Sequence, residues 1–538
     1  MIAPVRTAFL LCALSGGARA ADELEKNFVH PPDSARPGVY WYFMDGNLNG
    51  REMTADLEAM KAAGLGNLVF LEVDVGVPKG PVKWMTEPWQ ELFAQTVRDA
   101  ERLGIDITLG IGPGWCGSGG PWVKPEQAMQ HLVFSSVEVK GPRSFSTVLP
   151  VPAQRSTQWH KRSDPFYQDV AVLAFPSRPP IIADIDEKAL FERGPISSAP
   201  GIKPYLPTAA RHPEPGPAGV IAPGEIVDLT SHLKPDGTLT WDTPAGDWTL
   251  VRMGRRVTGA DTRPAPAAAL GLESDKFDAQ ALEEHLGHFV GVLLRKIHPR
   301  AKEHGLTALH MDSWESGAQN WMSSFLEEFK RRRGYDARPF LLTYTGRAVE
   351  SLEKSERFLW DLRVTGQELV LENHAEAVKK YAHREGLELS IEPYDMNPAG
   401  DLDLGAVADV PMAEFWNSGF NSAYSVIEAT SIAHVMGKPV VSAESFTSGG
   451  FAGALDAYPG SLKNQGDWAF AAGINRIVFH TYAHQALGDA CKPGMTMGPY
   501  GVHWHRNQTW WPMVPAYHRH LTRCSELPPP GVTVSDLL

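Results

Sequence analysis

Apolar residues along the chain fall into short runs separated by stretches of helical spacing. Residues 39–44 (VYWYFM) form the first run, followed by Met53, Leu57 and Met60 at i, i+4 and i+7, one face of a helix. A second run, 67–73 (NLVFLEV), precedes Trp89, Leu92, Phe93, Val97, Ala100 and Leu103 on a common stripe, and 105–111 (IDITLGI) is a third. Both helical stretches stop at a glycine, Gly64 and Gly104, the residue that most readily takes the left-handed conformation past a helix end. The alternation then breaks off. From about 137 to 258 the chain is rich in proline and in short alternating runs, with GTLTW (237–241) and DWTLVR (247–252) flanking a turn at PAG (244–246). This predicts an inserted all-β module over 137–262. Strand and helix then alternate again. Residues 306–311 (LTALHM), 387–392 (LELSIE), 410–415 (VPMAEF), 439–444 (PVVSAE) and 476–480 (RIVFH) are strands, and all but the last lead into helical spacing. Three strands before the insert and five after it predict an α/β fold, a (β/α)₈ TIM barrel interrupted after its third strand. An open doubly wound sheet is the rival reading. The barrel is expected over 21–136 and 263–524, with a tail at 525–538.

The first twenty residues do not belong to this scheme. Arg6 precedes an apolar run at 8–14, and Ala18-Arg19-Ala20 has small residues at a cleavage site, so 1–20 reads as a signal peptide and the protein as secreted or periplasmic. No later segment is apolar enough to anchor it in a membrane, so a soluble product is expected. Removing the leader leaves Cys116, Cys491 and Cys524, enough for one disulfide at most, so the fold must rest on its core. The composition, 43% hydrophobic and 21% charged, is that of a globular protein. A net charge of −13 argues against nucleic acid as a partner, since phosphate binding needs a basic face.

Catalytic side chains of TIM barrels sit at the C-terminal ends of the strands. Those ends are acidic here: Glu72 and Asp74, Asp312 and Glu315, Glu392 and Asp395, Glu414 and Glu444, with His480 closing the eighth strand. Any one of these caps a helix or pairs with an arginine more often than it catalyses. A ring of them is different. Crowded carboxylates repel, which raises some pKa values unless a cation sits among them. Glycoside cleavage uses such a group, one carboxylic acid to protonate the leaving oxygen and one carboxylate to activate water or attack carbon. Of the tryptophans Trp41, Trp115, Trp122, Trp314, Trp416, Trp504, Trp510 and Trp511, most belong to the core. Trp314 and Trp416 adjoin strand-end acids, where a ring can pack on a sugar. The glycine run 110–120 lacks GxxxxGK[ST] and opens into no helix, which favours a loop bordering a cleft over a nucleotide site. His480, His484, His503 and His505 could gather a transition metal, but no HExxH is present, and no GxSxG elbow marks a serine nucleophile.

Longer motifs sharpen this reading. They are YWYFMDGN (40–47), GWCGSGGPW (114–122), RPAP (263–266), MDSWESGAQNW (311–321), SERFLWDLR (355–363), SIEPYD, ADVPMAEFW, GKPVVSAESF, YPGSLKNQGDWAF (458–470) and KPGMTMGPYGVHW (492–504). Together, and in this order, they resemble glycoside hydrolase family 106, the α-L-rhamnosidases, over nearly all of the chain after its leader. The resemblance implies an inverting enzyme acting on terminal α-L-rhamnosides of plant-type or pectic glycans, with calcium in the active site. It places the general acid on Glu315 and the general base on Glu444. Glu414, then Asp312 and Glu392, follow as metal ligands, with Trp314, Trp416 and His480 against the substrate. Two features depart from the family: Cys116 stands where serine is expected in the glycine loop, and members usually continue into β-sandwich modules. A truncated product that binds sugar without cleaving it, or a barrel glycosidase of other specificity, are the alternatives.

Overall fold

The structure is a computed structural model that describes residues 25–115, 117–156, 162–192, 219–394, 399–418, 423–450, 455–498 and 500–526. The expected leader, Cys116, Asp395 and most of the expected tail lie outside the described residues.

Eight strands close a parallel barrel: β1 (Gly38–Met44), β2 (Asn67–Val73), β3 (Asp106–Gly110), β4 (Gly305–Met311), β5 (Glu388–Ile391), β6 (Val410–Ser418), β7 (Ser442–Ser448) and β8 (Arg476–Ala483). Closure is decided by the pairing of β1 with β8, with Gly38 beside Val478 and Trp41 beside Tyr482. An open sheet is thereby excluded. Helices Gly50–Ala63 and Glu87–Leu103 return the chain after β1 and β2, and both end at the foreseen glycines, with φ of 86° at Gly64 and 64° at Gly104. Among the described residues no α-helix follows β8 directly. After a long loop, Val514–Ser525 takes the eighth helical place, tied to the first helix by His518 Nδ1 donating to the Ala63 carbonyl at 2.8 Å. Trp504 Nε1 donates to the other ring nitrogen at 2.9 Å, and burial pushes this imidazole down to about 4, so it stays neutral. No helix of the described residues is long and apolar enough to cross a membrane.

Alternation along the strands sorts every side chain to one of two places. On β1, Val39, Trp41 and Phe43 pack outward in the large core under the helices, while Tyr40, Tyr42 and Met44 fill the barrel with Val69, Leu71 and Val73 of β2. The same parity sends Leu309, Leu389, Ile391, Ala413, Phe415, Ala443, Ile477 and Phe479 outward. Asp312, Glu392, Glu414, Glu444 and His480 therefore have inward parity. Glu72 has outward parity, and accepts from Trp89 Nε1 at 2.5 Å and Gly46 N at 3.0 Å. Burial raises it to about 7, but it serves the loop after β1 and not the barrel mouth.

Between β3 and β4 lies a four-stranded antiparallel sheet in the order Gln130–Val148, Thr238–Val257, Gln168–Pro176, Val227–Asp228. One face covers a small core of its own, Val139, Phe145, Val172, Ala174 and Leu250. The other, through Ala171, Leu173, Phe175, Val251 and Met253, is continuous with the core of the barrel. Apolar burial at about 25 cal/mol per Å² thus couples the two parts.

Candidate active site

A cavity of about 370 Å³ opens at the C-terminal mouth of the barrel, lined by Arg263, Asp312, Glu315, Glu414, Glu444 and His480 together with aromatic residues and Met497. Two clusters of acids build it.

The first joins β4 and β5. His310 and Ser390 are register partners, so the Ser390 hydroxyl reaches His310 Nδ1 at 2.7 Å. That leaves Nε2 to donate to Asp312 Oδ2 at 3.1 Å. Glu392 accepts from the Tyr40 hydroxyl at 2.6 Å and the Tyr394 hydroxyl at 2.5 Å, one on each oxygen. Burial, then the charges of Asp312 and Glu414, hold Glu392 well above the usual carboxylate range. His310, Asp312 and Glu392 each place one ligand atom within 4.8 Å of the others.

The second cluster joins β6 and β7. Glu414 and Glu444 lie abreast in the register of neighbouring strands, and both line the cavity. Burial pushes Glu414 up to about 7 even though the Trp416 indole donates to it at 2.6 Å. Burial and then Glu414 push Glu444 well above its ordinary value. A β-bulge shapes this edge: Phe446 has φ of 64°, a strained value for a side chain with a Cβ. The extra residue sends Phe446 into the outer core and turns Thr447 inward, where its hydroxyl donates to Glu444. His480 Nδ1 stands 3.8 Å from Glu444 Oε1, beyond hydrogen-bond length, and burial lowers this imidazole to about 4. It is neutral at working pH.

Glu315 stands apart from both clusters, on the loop after β4, paired with Arg263 Nη2 at 3.0 Å. Trp416 lines the cavity as expected. Trp314 does not. It is 4% exposed, with its indole donating to the Gly317 carbonyl and its ring edge on His374, so it braces the loop from behind. It therefore presents no face to a sugar in the cavity. The four histidines do not assemble a metal site either. His484 Nδ1 is engaged by buried Asp56 at 2.7 Å, and the described residues hold no His/Cys/Asp/Glu group of ligand spacing besides His310, Asp312 and Glu392. The glycine run packs closely instead of cradling a phosphate: a Cβ at Gly114 would lie 2.7 Å from the Arg263 backbone, and one at Gly119 2.6 Å from the Leu272 carbonyl. Its Trp115 is carried to the cavity wall.

Sequence reasoning missed Tyr40, Tyr394, His310, Thr447 and Arg263. Inward parity on β1 and β4 marks Tyr40 and His310, since Asp312 is two residues from His310. The RPAP motif (263–266) marks Arg263 but gives it no role, and only the fold brings it to the cavity from the segment leaving the inserted sheet.

The sequence profile of glycoside hydrolase family 106, described as alpha-L-rhamnosidase, matches residues 29–538. A curated relative from Formosa agariphila, named a putative beta-glucuronidase, is 37% identical over 520 residues, 96% of this chain and 42% of that protein. The solved structure of a rhamnosidase from Novosphingobium sp. PP1Y superposes with a TM-score of 0.79 at 28% identity, covering 93% of this chain and 60% of that one. The chain thus spans less than two thirds of either relative. A profile match over nearly its whole length, on a barrel whose mouth gathers these carboxylates, places the chain in glycoside hydrolase family 106, the α-L-rhamnosidase family.

Proposed function

We propose that this glycosidase hydrolyses terminal α-L-rhamnosides outside the cytoplasm, with Glu315 as general acid and Glu444 as general base. One observation carries the reading: carboxylates borne by β4 and β7, three strands apart around the barrel, line a single cavity. A sugar between them presents its glycosidic oxygen to one and the opposite face of its anomeric carbon to the other. Glu315 must leave Arg263 and carry a proton when substrate enters. It gives that proton to the leaving oxygen while Glu444 takes one from the water that attacks carbon, so the anomeric centre inverts. Neutral His480 and the Trp416 ring bear on the sugar, and Tyr42, Met497 and Trp115 give the wall an apolar side suited to a methyl group. Proton NMR of early product should show β-rhamnose first. The α-anomer first would reassign the mechanism as retaining.

A hard cation fits the acids. Calcium takes oxygen ligands, and Asp312 and Glu392 offer them at ligand spacing, whereas His310, the third member of that group, is already committed to Ser390 and Asp312, and Glu414, expected as the first ligand, lies outside the group. When bound, calcium would neutralise the crowded carboxylates, keep Glu444 ionised and gather sugar hydroxyls. Exhaustive chelation is expected to abolish most of the activity, with recovery on adding calcium, and Glu392→Gln should raise the calcium concentration needed. An unchanged rate after chelation would remove the metal from the reaction.

A second reading, cleavage of β-glucuronides, is favoured by the name of the Formosa relative. It would bring a sugar carboxylate among Asp312, Glu414 and Glu444, with Arg263 the one cationic side chain among the described lining residues. A neutral 6-deoxy sugar is the better fit. Para-nitrophenyl α-L-rhamnoside should be turned over and para-nitrophenyl β-D-glucuronide should not. Binding without turnover of either would support the non-catalytic alternative.

A further inference from the structure

Between β4 and the helix Phe325–Arg333, the chain that carries Glu315 runs as a loop with one isolated bridge, from Trp321 to Gln130. Backbone pairing is sparse there, so side chains must fix its course. Two buried residues do so, one on each side of the acid. Trp314 braces the loop from behind, and Gln319, with no exposed surface, uses both ends of its amide. Its carbonyl accepts from Lys276 N at 2.9 Å, and its amino group donates to Asp275 Oδ1 at 2.6 Å.

The segment that receives Gln319 is itself tied to the glycine run. Leu272 and Glu273 pair antiparallel with Gly120 and Gly119. The Lys276 ammonium, 1% exposed, donates to Glu273 Oε2 at 2.6 Å, Ser118 Oγ at 2.7 Å and the Ser118 carbonyl at 3.3 Å, which occupies all three of its protons. An ion pair buried this deeply adds little stability over apolar groups of the same shape. It does enforce one arrangement, because any other leaves a charge buried without its partner. None of Glu273, Asp275, Lys276 and Gln319 lines the cavity, so they can act on the reaction only through the loops they hold.

We propose that Gln319 and Asp275 are positioning residues for the proton donor. They lock the loop bearing Glu315 to a segment that the Glu273–Lys276 pair fixes against the glycine run. This rests on Glu315 being the general acid. A shift of about 1 Å in a catalytic group costs on the order of 10²-fold in rate, a tolerance that a loop without such a latch does not meet.

Gln319→Met keeps the length of the side chain and breaks both bonds. On an α-L-rhamnosyl disaccharide its kcat should fall by about ten- to hundredfold with KM little changed. Para-nitrophenyl α-L-rhamnoside, whose leaving group departs without protonation, should lose much less. Asp275→Ala should show the same split between substrates. Asp275→Asn, whose side-chain oxygen still accepts from Gln319, should recover most of the disaccharide rate, and the two Asp275 variants carry the comparison if Gln319→Met fails to fold. Equal slowing of both substrates, or an Asp275→Asn enzyme as slow as Asp275→Ala, would mean that these residues only support the fold and would overturn the proposal. A Glu315→Gln enzyme that slows both substrates alike would instead remove Glu315 as the acid, and this inference with it.

Discussion

Replacing Glu444 by Gln is expected to lower kcat on an α-L-rhamnoside by about 10²–10⁴-fold with the fold intact. Glutamine keeps the size of the side chain, and its carbonyl can still accept from Thr447. It also relieves Glu414 of an acidic neighbour in the same register. What it cannot do is take a proton from water. Glu315→Gln should cost as much on a disaccharide, whose leaving alkoxide needs protonation, and much less on a para-nitrophenyl glycoside, whose phenolate departs without it. Steady-state kinetics on both substrates, with circular dichroism as the folding control, separates the two roles. If Glu444→Gln were the variant rescued by the better leaving group, acid and base would have to be exchanged.

The second large effect concerns stability. Asp56, on the first helix, is fully buried and binds His484 Nδ1 at 2.7 Å, Arg506 Nε at 2.6 Å and the Tyr482 hydroxyl at 3.0 Å. These partners come from β8 and the loops beyond it, so this carboxylate ties the closing strand to the helix behind β1. Burial alone would raise its pKa, but His484 and Arg506 outweigh burial and hold it below the usual value. A depressed carboxyl adds stability above its unfolded pKa, near 3.9, and that contribution fades as pH falls through the lower folded value. Asp56→Asn should destabilise the enzyme at neutral pH by about 3 kcal/mol, the low end for breaking a buried pair, because Arg506 keeps Glu52 and Asp489 as partners. Urea unfolding at pH 7 and again at pH 3 is the measurement. The difference between wild type and variant should shrink at the lower pH, and a difference independent of pH would mean that shape and not charge is lost.

Much of this was legible in the chain. The eight strands follow from apolar runs alternating with helical spacing, and helix ends from Gly64 and Gly104, because both are consequences of local geometry. Glu315, Glu414, Glu444, Asp312, Glu392 and His480 were legible as strand-end groups. Period-two alternation adds which of the strand-end acids on β2 and β5 to β7 point inward, and it separates Glu72, which braces a loop, from Glu392, Glu414 and Glu444. Closure of the barrel was not legible, since no single strand encodes its partner across the seam, and β1 meets β8 only after the whole ring is built. The bulge at Phe446 is of the same kind: strict alternation would turn Thr447 away from Glu444, and packing of the Phe446 ring on Phe415 and Phe479 reverses that. Trp314 was misread because adjacency to an acid in sequence says nothing about which side of a loop a ring takes. Arg263 and Glu315 are distant in the chain, and their pairing depends on three loops converging. Local spacing thus determined the strands and the chemical character of the mouth. Which carboxylate meets which partner was decided only by the closed barrel, because hydrogen bonds and charge interactions act over a few ångströms of space and not along the chain.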